Sequence, residues 1–425
     1  MARLEYIHYS PQKPVVVSGV VVWQPDTVLR SIEGLPQLFW KDGSPWREAN
    51  LWAVEMGRDR RVKVKTIDSL FYHLHKYANW LEEQTEQGRP IDWRHFPQTR
   101  SERVLNRFRG DLIEQRDAGV LKPSTTTARM GAVIRFYRYA AGRNFISRNA
   151  PKWQDKAVVV SYFDDAGFGR TMDRVTTDLS IPNRARHGAR LEDSLLPITV
   201  QHMTELLDFT KEGVSEELDL MLKIGFYTGA RLGTITTLRV KALFDAVPDP
   251  AVPGMWSIPV GPGTGIDTKF DVSGHLMLTD ILMKTLKVYA TSRRHLDRVI
   301  KATDENKSYL FLTRHFNPYT VDAVDREMVT LRRAGQAVGL KFLQDFKFHQ
   351  SRATFGTWLM SICLETGTVK AAIEFVKGAL LHKDERDTFR YVTFIEQTKT
   401  KIEMANAFTR AFLGKVAEKA EAPNA

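Results

Sequence analysis

Two separate stretches of the chain carry apolar residues at helical spacing, and this patterning limits the fold more than any other feature of the sequence. The first stretch begins at Lys65 and includes a helix after Pro123, with Ser124 as a candidate N-cap. The second begins after Pro197, where Thr199 can cap a helix. The inward face of the first helix consists of Ile67, Leu70, Phe71, Leu74, Tyr77, Ala78 and Leu81. The pattern predicts two helical domains.

Strand-like runs are short and few. Val15 to Trp23 reads as a strand, and so does Met255 to Val260. A Gly/Pro turn from Gly261 to Gly265 follows, and then a second run that ends at Leu278. We therefore predict a mainly α fold with a small antiparallel β-sheet.

Changes in composition suggest where one domain ends and the next begins. The segment 151–195 has prolines, glycines and little helical periodicity, which favours a boundary there. The predicted domains are an N-terminal extension of unknown role at 1–45, a helical domain at 46–150, a linker at 151–195, a second domain at 196–415 and a flexible tail at 416–425. For residues 1–45 we consider an accessory DNA-binding arm.

An excess of basic residues favours a polyanionic partner. The formal net charge is +11, and lysines and arginines that neutralise phosphates release condensed counterions. No acidic residue occurs between Leu121 and Ala150. A cationic helix face there suits DNA-backbone contacts, although a solvated surface is the alternative. The candidate contacts are Lys122, Arg129, Arg135 and Arg138.

Several classes of protein fit the sequence poorly. No apolar run approaches the roughly 18 residues of a membrane span, and the segment Met1 to Lys13 lacks the apolar centre of a secretory signal. The single cysteine, Cys363, is consistent with a reducing, cytoplasmic setting. Ile266 and Thr268 stand where nucleotide-binding fingerprints need glycine, and no histidine pair has the spacing of a metal site. We expect no membrane contact, no metal and no cofactor.

Five short motifs together carry the side chains that metal-free transfer of a DNA strand requires. A phenol can attack phosphorus and hold a covalent intermediate. Guanidinium groups match the oxygens of a phosphate, and imidazoles can donate hydrogen bonds or accept a proton. A lysine can protonate the departing oxygen. The motifs are Tyr227-Thr228-Gly229-Ala230-Arg231-Leu232, Thr268-Lys269, Phe348-His349-Gln350-Ser351-Arg352-Ala353-Thr354-Phe355, Leu380-Leu381-His382 and Phe389-Arg390-Tyr391.

The order and spacing of these motifs resemble the tyrosine recombinases of the lambda-integrase group, the phage integrase family. Thr228 to Arg231 resembles the first arginine box, and His349-x-x-Arg352 resembles the second. His382 precedes Tyr391 by nine residues, the interval that is characteristic of the family. Lys269 resembles the family's hairpin lysine. The resemblance implies a helical, SAM-like core-binding domain and a catalytic domain that together clamp duplex DNA.

The resemblance also implies the role of each residue. Tyr391 would form a 3′-phosphotyrosyl bond, and Arg231 and Arg352 would clamp the scissile phosphate. Lys269 would protonate the leaving 5′-oxygen. His349 and His382 would hydrogen-bond the phosphate or assist proton transfer. No metal ion or nucleotide would be required.

Three supporting positions depart from the family pattern. Thr234 stands where an acidic residue is frequent, Gln350 replaces a common Asp, and Leu381 replaces the usual Gly before the second histidine. The interval from Arg352 to His382 is also longer than is typical. These departures concern the subfamily more than the catalytic set.

The expected partners follow from the same resemblance. They are double-stranded DNA with specific recombination sites, a homotetramer assembled on that DNA, and an accessory DNA-bending or directionality factor. The location would be the cytoplasm, at the nucleoid. An amphipathic C-terminal helix would join the protomers, although packing on its own domain is equally compatible with the pattern. Its apolar stripe consists of Ile402, Ala405, Phe408, Phe412 and Val416.

Two other functions remain open from the sequence. One is a related type IB topoisomerase, which relaxes DNA without exchanging partners. The other is a catalytically silent DNA-binding protein of the same fold. The separate helical domain argues against the first, and the presence of all six expected catalytic residues argues against the second.

Overall fold

A computed structural model of the protein describes residues 1–59, 61–163, 169–183, 191, 195–250, 252–400 and 403–404, with only the backbone described at 158–163 and 169–174. The chain divides into two compact units, Met1–Arg186 and His187–Ala425. The mainly helical fold with small antiparallel sheets confirms the predicted fold class. The residues of the predicted C-terminal stripe, Ile402 to Val416, lie outside the described part of the chain.

In its described residues, the first unit combines four α-helices and one short 3₁₀ helix with three pairs of antiparallel strands. β1 pairs with β4, β2 with β3, and β5 with β6. In chain order its elements are β1 (Arg3–Tyr9), β2 (Gln12–Val17), β3 (Val20–Pro25), β4 (Ile32–Phe39), α1 (Arg47–Arg58), α2 (Val64–Glu86), α3 (Val104–Asp117), α4 (Pro123–Gly142), β5 (Asp155–Phe163) and β6 (Gly169–Thr177).

The apolar face of α2 is buried as its periodicity predicts. Ile67, Phe71 and Leu74 are fully buried, and the face packs with α4 and β4 around a core rich in aromatic rings. The predicted helix start is wrong in one detail. Ser124 does not cap α4, because Lys122 is the N-cap and Pro123 occupies the first helical position, where its missing N–H costs nothing.

Residues 1–45 contribute to this core. Ile32, Leu35 and Leu38 of β4 are buried, and the predicted strand from Val15 to Trp23 is a hairpin, β2–β3, that turns at Ser18-Gly19. The hairpin carries one charged side chain, Lys13. The hairpin therefore carries little positive charge for phosphate contacts, and a DNA-binding arm at residues 1–45 stays a prediction.

The predicted linker 151–195 contains regular structure. Strands β5 and β6 lie within it, and Leu179 and Ile181 join the core of the first unit. Leu191 belongs instead to a core cluster of the second unit. The domain limits of the sequence analysis stay a prediction.

Three of the four candidate DNA-backbone contacts are exposed. Lys122, Arg135 and Arg138 are at the surface, and Arg138 forms an ion pair with Asp155 at 3.6 Å. Arg129 is buried, and burial lowers its pKa. Burial limits the access of the Arg129 guanidinium to a backbone phosphate in this conformation, and its contact with DNA stays a prediction.

The second unit is a helical domain with one three-stranded antiparallel sheet of order β7–β8–β9. Thr199 caps its first helix as predicted, because its side chain accepts a hydrogen bond from the His202 N–H. In chain order the elements are α5 (Val200–Gly213), α6 (Glu216–Thr228), α7 (Leu232–Thr236), α8 (Val240–Phe244), β7 (Val247–Pro248), β8 (Met255–Val260), β9 (Gly274–Thr279), α9 (Asp280–Ala290), α10 (Arg293–Lys301), α11 (Val321–Ala337), α12 (Gln350–Thr366), α13 (Val369–Leu380) and α14 (residues 385–400).

A buried carboxylate joins three helices of this unit. Glu217 of α6 accepts hydrogen bonds from Arg294 Nε at 2.7 Å and from Tyr289 Oη at 2.9 Å, and Arg298 Nη1 lies 2.8 Å away. Burial acts to raise the pKa of Glu217, but the hydrogen bond from Arg294 and the charges of both arginines outweigh it, so the net shift is downward. The network therefore stabilises α6 against α9 and α10.

Within the described residues, no helix combines the length and the apolar composition that crossing a bilayer demands.

We predict that Glu217→Gln lowers the free energy of unfolding by about 3 kcal/mol, because it removes one partner of a buried ion pair. Since the pKa of Glu217 is lowered in the fold, its contribution is fully present above the ordinary value of 4.5 and is lost as pH falls through the folded value. The difference between wild type and variant should therefore shrink in acid. Chemical denaturation at several pH values measures it.

Asp208→Asn is the matched control. Asp208 pairs with Lys211 at 2.8 Å, but both side chains are exposed, so the expected loss is below about 1 kcal/mol. If Glu217→Gln is as mild as Asp208→Asn, the buried network does not stabilise the domain.

Candidate active site

The first arginine follows the end of α6. Gly229 ends this helix with a left-handed φ of 66°, and Arg231 is the N-cap of α7. An added Cβ at Gly229 would overlap the side chains of Phe355 and Leu380. Glycine is therefore required here both for its backbone angle and for close packing. The Arg231 Nη1 donates to the Leu381 carbonyl oxygen at 3.4 Å.

The second arginine lies in the first turn of α12 and is almost completely buried. Arg352 is 2% exposed. Its Nη1 donates to the Gly229 carbonyl oxygen and its Nη2 to the Leu380 carbonyl oxygen, both at 2.7 Å. These carbonyls end α6 and α13, where the helix dipole is negative. Backbone oxygens at two helix ends thus hold the guanidinium plane.

The second histidine and the tyrosine lie against each other. His382 is 4% exposed, and its ring stacks on that of Tyr391 with centroids 6.2 Å apart. Its Nδ1 is hydrogen-bonded to Thr388 Oγ1 at 2.8 Å. Tyr391 lies on α14 and has no exposed surface, and an added Cβ at Gly356 would overlap its ring.

His349 lies in the same chain segment as Arg352. It is the residue before α12, with helical φ and ψ of −66° and −11°, and its carbonyl accepts from the Ala353 N–H at 3.3 Å. His349 lies three residues before Arg352, about one helical turn. The two side chains therefore lie on neighbouring parts of one helix surface.

Lys269 lies in a short 3₁₀ turn between β8 and β9. Its side chain is exposed, and its Nζ lies 5.3 Å from the centroid of the Phe270 ring. The Nζ of Lys383, which follows His382, lies 5.9 Å from the same ring. Phe270 therefore links the lysine turn to the segment that carries the second histidine.

The structure explains the three departures from the family pattern. Leu381 has a left-handed φ of 51°, which accounts for glycine elsewhere in the family. The cost for leucine is roughly 1–2 kcal/mol, and burial against Gly274 of β9 offsets it. Thr234 is buried, and a carboxylate there would need a partner. Gln350 donates to the Leu196 carbonyl oxygen at 3.0 Å.

The second unit thus brings Arg231, Arg352, His382 and Tyr391 into one region. Arg231 contacts Leu381, Arg352 contacts Leu380, and these two residues immediately precede His382. Three supporting residues were not predicted from the sequence: Thr388, Phe270 and Lys383. Thr388 could have been found from its position one helical turn before Tyr391. Phe270 and Lys383 carry no signal, because only the fold brings them together.

Comparison with known proteins gives one family match and several similar folds. Residues 197–397 match the model of the phage integrase family. XerH site-specific recombinase, in a post-cleavage complex, has a similar structure, with 16% identity, a TM-score of 0.50 and coverage of 85% of each chain. The integrase of transposon Tn1549 matches with 14% identity, a TM-score of 0.51 and coverage of 81% of this chain and 94% of its own. At these identities the likeness concerns the fold. No curated protein sequence matches the chain.

Residues 197–397 form a domain of the phage integrase family, the tyrosine recombinases. Enzymes of this family break and rejoin DNA strands.

We predict that Gly274→Ala lowers the free energy of unfolding by about 1–3 kcal/mol, because the new methyl group overlaps the Leu381 side chain. In a Leu381→Gly background the same substitution should cost much less, since the space is then open. A double-mutant cycle by chemical denaturation should give a coupling of about 0.5–3 kcal/mol.

Gly233→Ala in α7 serves as the control, because nothing lies within 4 Å of the added carbon. It should leave stability unchanged or slightly increased. If the effects of Gly274→Ala and Leu381→Gly on the free energy of unfolding are additive, there is no steric conflict between positions 274 and 381.

Proposed function

We propose that the chain is a site-specific recombinase that cleaves and rejoins duplex DNA through a 3′-phosphotyrosyl bond to Tyr391. The observation that carries this proposal is the contact of both arginines with the end of α13, directly before the histidine that stacks on Tyr391. Two guanidinium groups, an imidazole and a phenol within one small region match the needs of phosphoryl transfer.

The arginines bind the scissile phosphate. Negative charge grows on its non-bridging oxygens during transfer, and guanidinium groups pair with such oxygens through parallel N–H donors. The bonds from Arg352 to Gly229 and Leu380 fix its plane before DNA arrives. A preorganised, buried cation avoids the cost of reorientation in the transition state.

Bonds and protons balance without an external reagent. The Tyr391 oxygen attacks phosphorus, its proton passes to the imidazole of His349 or His382, and the bond from phosphorus to the 5′-oxygen breaks. Lys269 supplies the proton that the 5′-oxygen takes up. A 5′-hydroxyl of the partner strand then attacks the phosphotyrosine and gives its proton to Lys269. The bond from phosphorus to the Tyr391 oxygen breaks, and that oxygen takes back the proton held by the imidazole. One phosphodiester replaces another, so no nucleotide is consumed.

The burial of Tyr391 implies a movement. Its side chain has no exposed surface and packs against Gly356, so its oxygen can reach a phosphate only after α14 shifts. We infer that binding of DNA displaces this helix. Such coupling would keep the nucleophile inactive until the substrate is in position.

Duplex DNA with specific sites is the proposed substrate. XerH is bound to its difH substrate, and the Tn1549 integrase to a circular intermediate DNA. The exposed Lys122, Arg135 and Arg138 of this chain suit backbone contacts. A tetramer on DNA joined by the C-terminal helix, an accessory bending or directionality factor and a location at the nucleoid remain part of the proposal.

Relaxation of plasmids separates this function from that of a type IB topoisomerase. A topoisomerase would relax supercoiled plasmid of any sequence, whereas a site-specific recombinase needs its own site. Strand breaks trapped on suicide substrates made from the flanking genomic DNA would map that site and supply the substrate for the experiments that follow.

We predict that Tyr391→Phe abolishes the covalent protein–DNA adduct on denaturing gels and retains DNA binding, because only the attacking oxygen is lost. Electrophoretic mobility shift measures binding, and Tyr289→Phe controls for the loss of a buried tyrosine hydroxyl in the same unit. An adduct that persists in Tyr391→Phe would sink the assignment of the nucleophile.

We predict that Lys269→Ala slows cleavage by about 10²–10⁴-fold on an ordinary phosphodiester, the range for loss of a general acid. A substrate with sulfur at the bridging 5′ position should restore most of the rate, because a thiolate leaves without a proton. Equal defects on both substrates would mean that Lys269 binds DNA and does not act as the acid.

A further inference from the structure

Lys269 is carried by an exposed turn, yet a general acid has to be held within hydrogen-bond reach of one oxygen atom. The turn spans residues 261–271, between β8 and β9, and its contacts with the rest of the unit decide where Lys269 points. We propose that Arg239, assisted by Thr237, is the positioning residue that holds this turn and so sets the place of Lys269. The proposal rests on the assignment of Lys269 as the acid.

The Arg239 side chain is held from three directions. Its guanidinium carbon lies 3.5 Å from the centroid of the Tyr309 ring, the distance of a close cation–π stack. Its Nε donates to the Gly265 carbonyl oxygen at 3.0 Å, and its Nη1 donates to Ser308 Oγ at 2.7 Å. The stack fixes the plane of the guanidinium, and the Nε bond therefore fixes Gly265.

The backbone of Arg239 is equally well anchored. Arg239 and Tyr309 form an antiparallel β-bridge. The Leu310 N–H donates to the Leu238 carbonyl oxygen at 2.9 Å, and the Val240 N–H donates to the Ser308 carbonyl oxygen at 3.0 Å. Leu238 and Leu310 are completely buried. Arg239 thus connects the buried core of the domain to the surface turn at 261–271.

A second bond fastens the turn closer to the lysine. Thr237 Oγ1 accepts from the Asp267 N–H at 2.9 Å, two residues before Lys269. Thr268 Oγ1 then donates to the Val272 carbonyl oxygen at 2.7 Å and closes the turn around Lys269. Gly265, Asp267 and Thr268 are therefore fixed in succession, and the Lys269 side chain projects from a rigid base.

These anchors come from the chain segment that follows Arg231. Arg231 begins α7, and Thr237 and Arg239 lie just beyond the end of that helix. One segment thus positions both a phosphate-binding arginine and the proposed acid. A displacement of about 1 Å in such a constellation can cost on the order of 100-fold in rate.

The contacts of Arg239 tie its guanidinium to the protein around the turn that carries Lys269. One face of its guanidinium lies on Tyr309, and Nε and Nη1 both donate to protein oxygens. Its effect on catalysis should therefore pass through Lys269. An effect through a general acid has a chemical signature, because it disappears when the leaving group needs no proton.

The experiment compares cleavage of two duplexes that carry the mapped site, one with oxygen and one with sulfur at the bridging 5′ position. Arg239→Ala should slow cleavage of the oxygen substrate by about 10- to 100-fold, the range for a misplaced catalytic group. On the sulfur substrate its rate should lie within about threefold of wild type, because loss of proton transfer no longer matters. Single-site DNA affinity should be unchanged.

Matched variants separate positioning from general destabilisation. Thr237→Val removes the acceptor for Asp267 and should show a smaller defect with the same sulfur rescue, and Thr237→Ser should restore most of the rate. Arg239→Lys keeps the charge but loses the planar stack and the Nε bond, so it should resemble Arg239→Ala. Lys287→Ala, which removes a cation 4.6 Å from the Trp256 ring, should cleave both substrates like wild type.

The outcomes assign any failure to one of the two proposals. If Lys269→Ala is rescued by sulfur and Arg239→Ala is equally slow on both substrates, Arg239 acts on DNA binding or on the fold and the inference is wrong. If Lys269→Ala itself is not rescued, the assignment of Lys269 as the acid has failed. If Arg239→Ala cleaves the oxygen substrate at the wild-type rate, the turn needs no anchor and the inference is overturned.

Discussion

The active site depends on one buried guanidinium. Arg352 ties the carbonyl end of α6 to that of α13, and Arg231 donates to the next carbonyl of the same helix end. A buried cation is costly unless it is paired. Here the negative ends of two helix dipoles supply the partners. The residue after this double contact is His382, so the arginines that would bind phosphate also position the histidine.

Close packing around His382 also limits access to the proposed nucleophile, Tyr391. His382 stacks on Tyr391, and Gly356 provides the space that the phenol ring fills. The arrangement stabilises the domain because it buries an aromatic ring, but it also hides the oxygen that we propose as the nucleophile. Packing of α14 on the domain thus stabilises the protein without DNA, whereas the proposed attack on DNA requires α14 to move.

Basic residues of the first unit occupy both exposed and buried positions. Arg135 and Arg138 are exposed on α4, whereas Arg129 of the same helix is buried. All three occur in a segment without acidic residues, and the difference follows from the face of the helix on which each lies. Residues 1–45, which have no motif, supply β4 to the core of this unit. Burial and hydrogen-bonding partners decide these roles, and neither is visible in composition.

The sequence by itself determined the helical class and predicted six catalytic residues. Apolar spacing reports directly which face of a helix is buried, as with Ile67, Phe71 and Leu74, and the interval from His382 to Tyr391 lies within one local segment. Only the tertiary structure decided how Gly229, Leu380 and Phe270 meet the catalytic side chains. It also decided that Arg239 anchors the turn of Lys269 and that Leu381 tolerates a left-handed backbone beside Gly274. The physical reason is that these contacts join residues far apart in the chain, and such pairings depend on the packing of the whole domain.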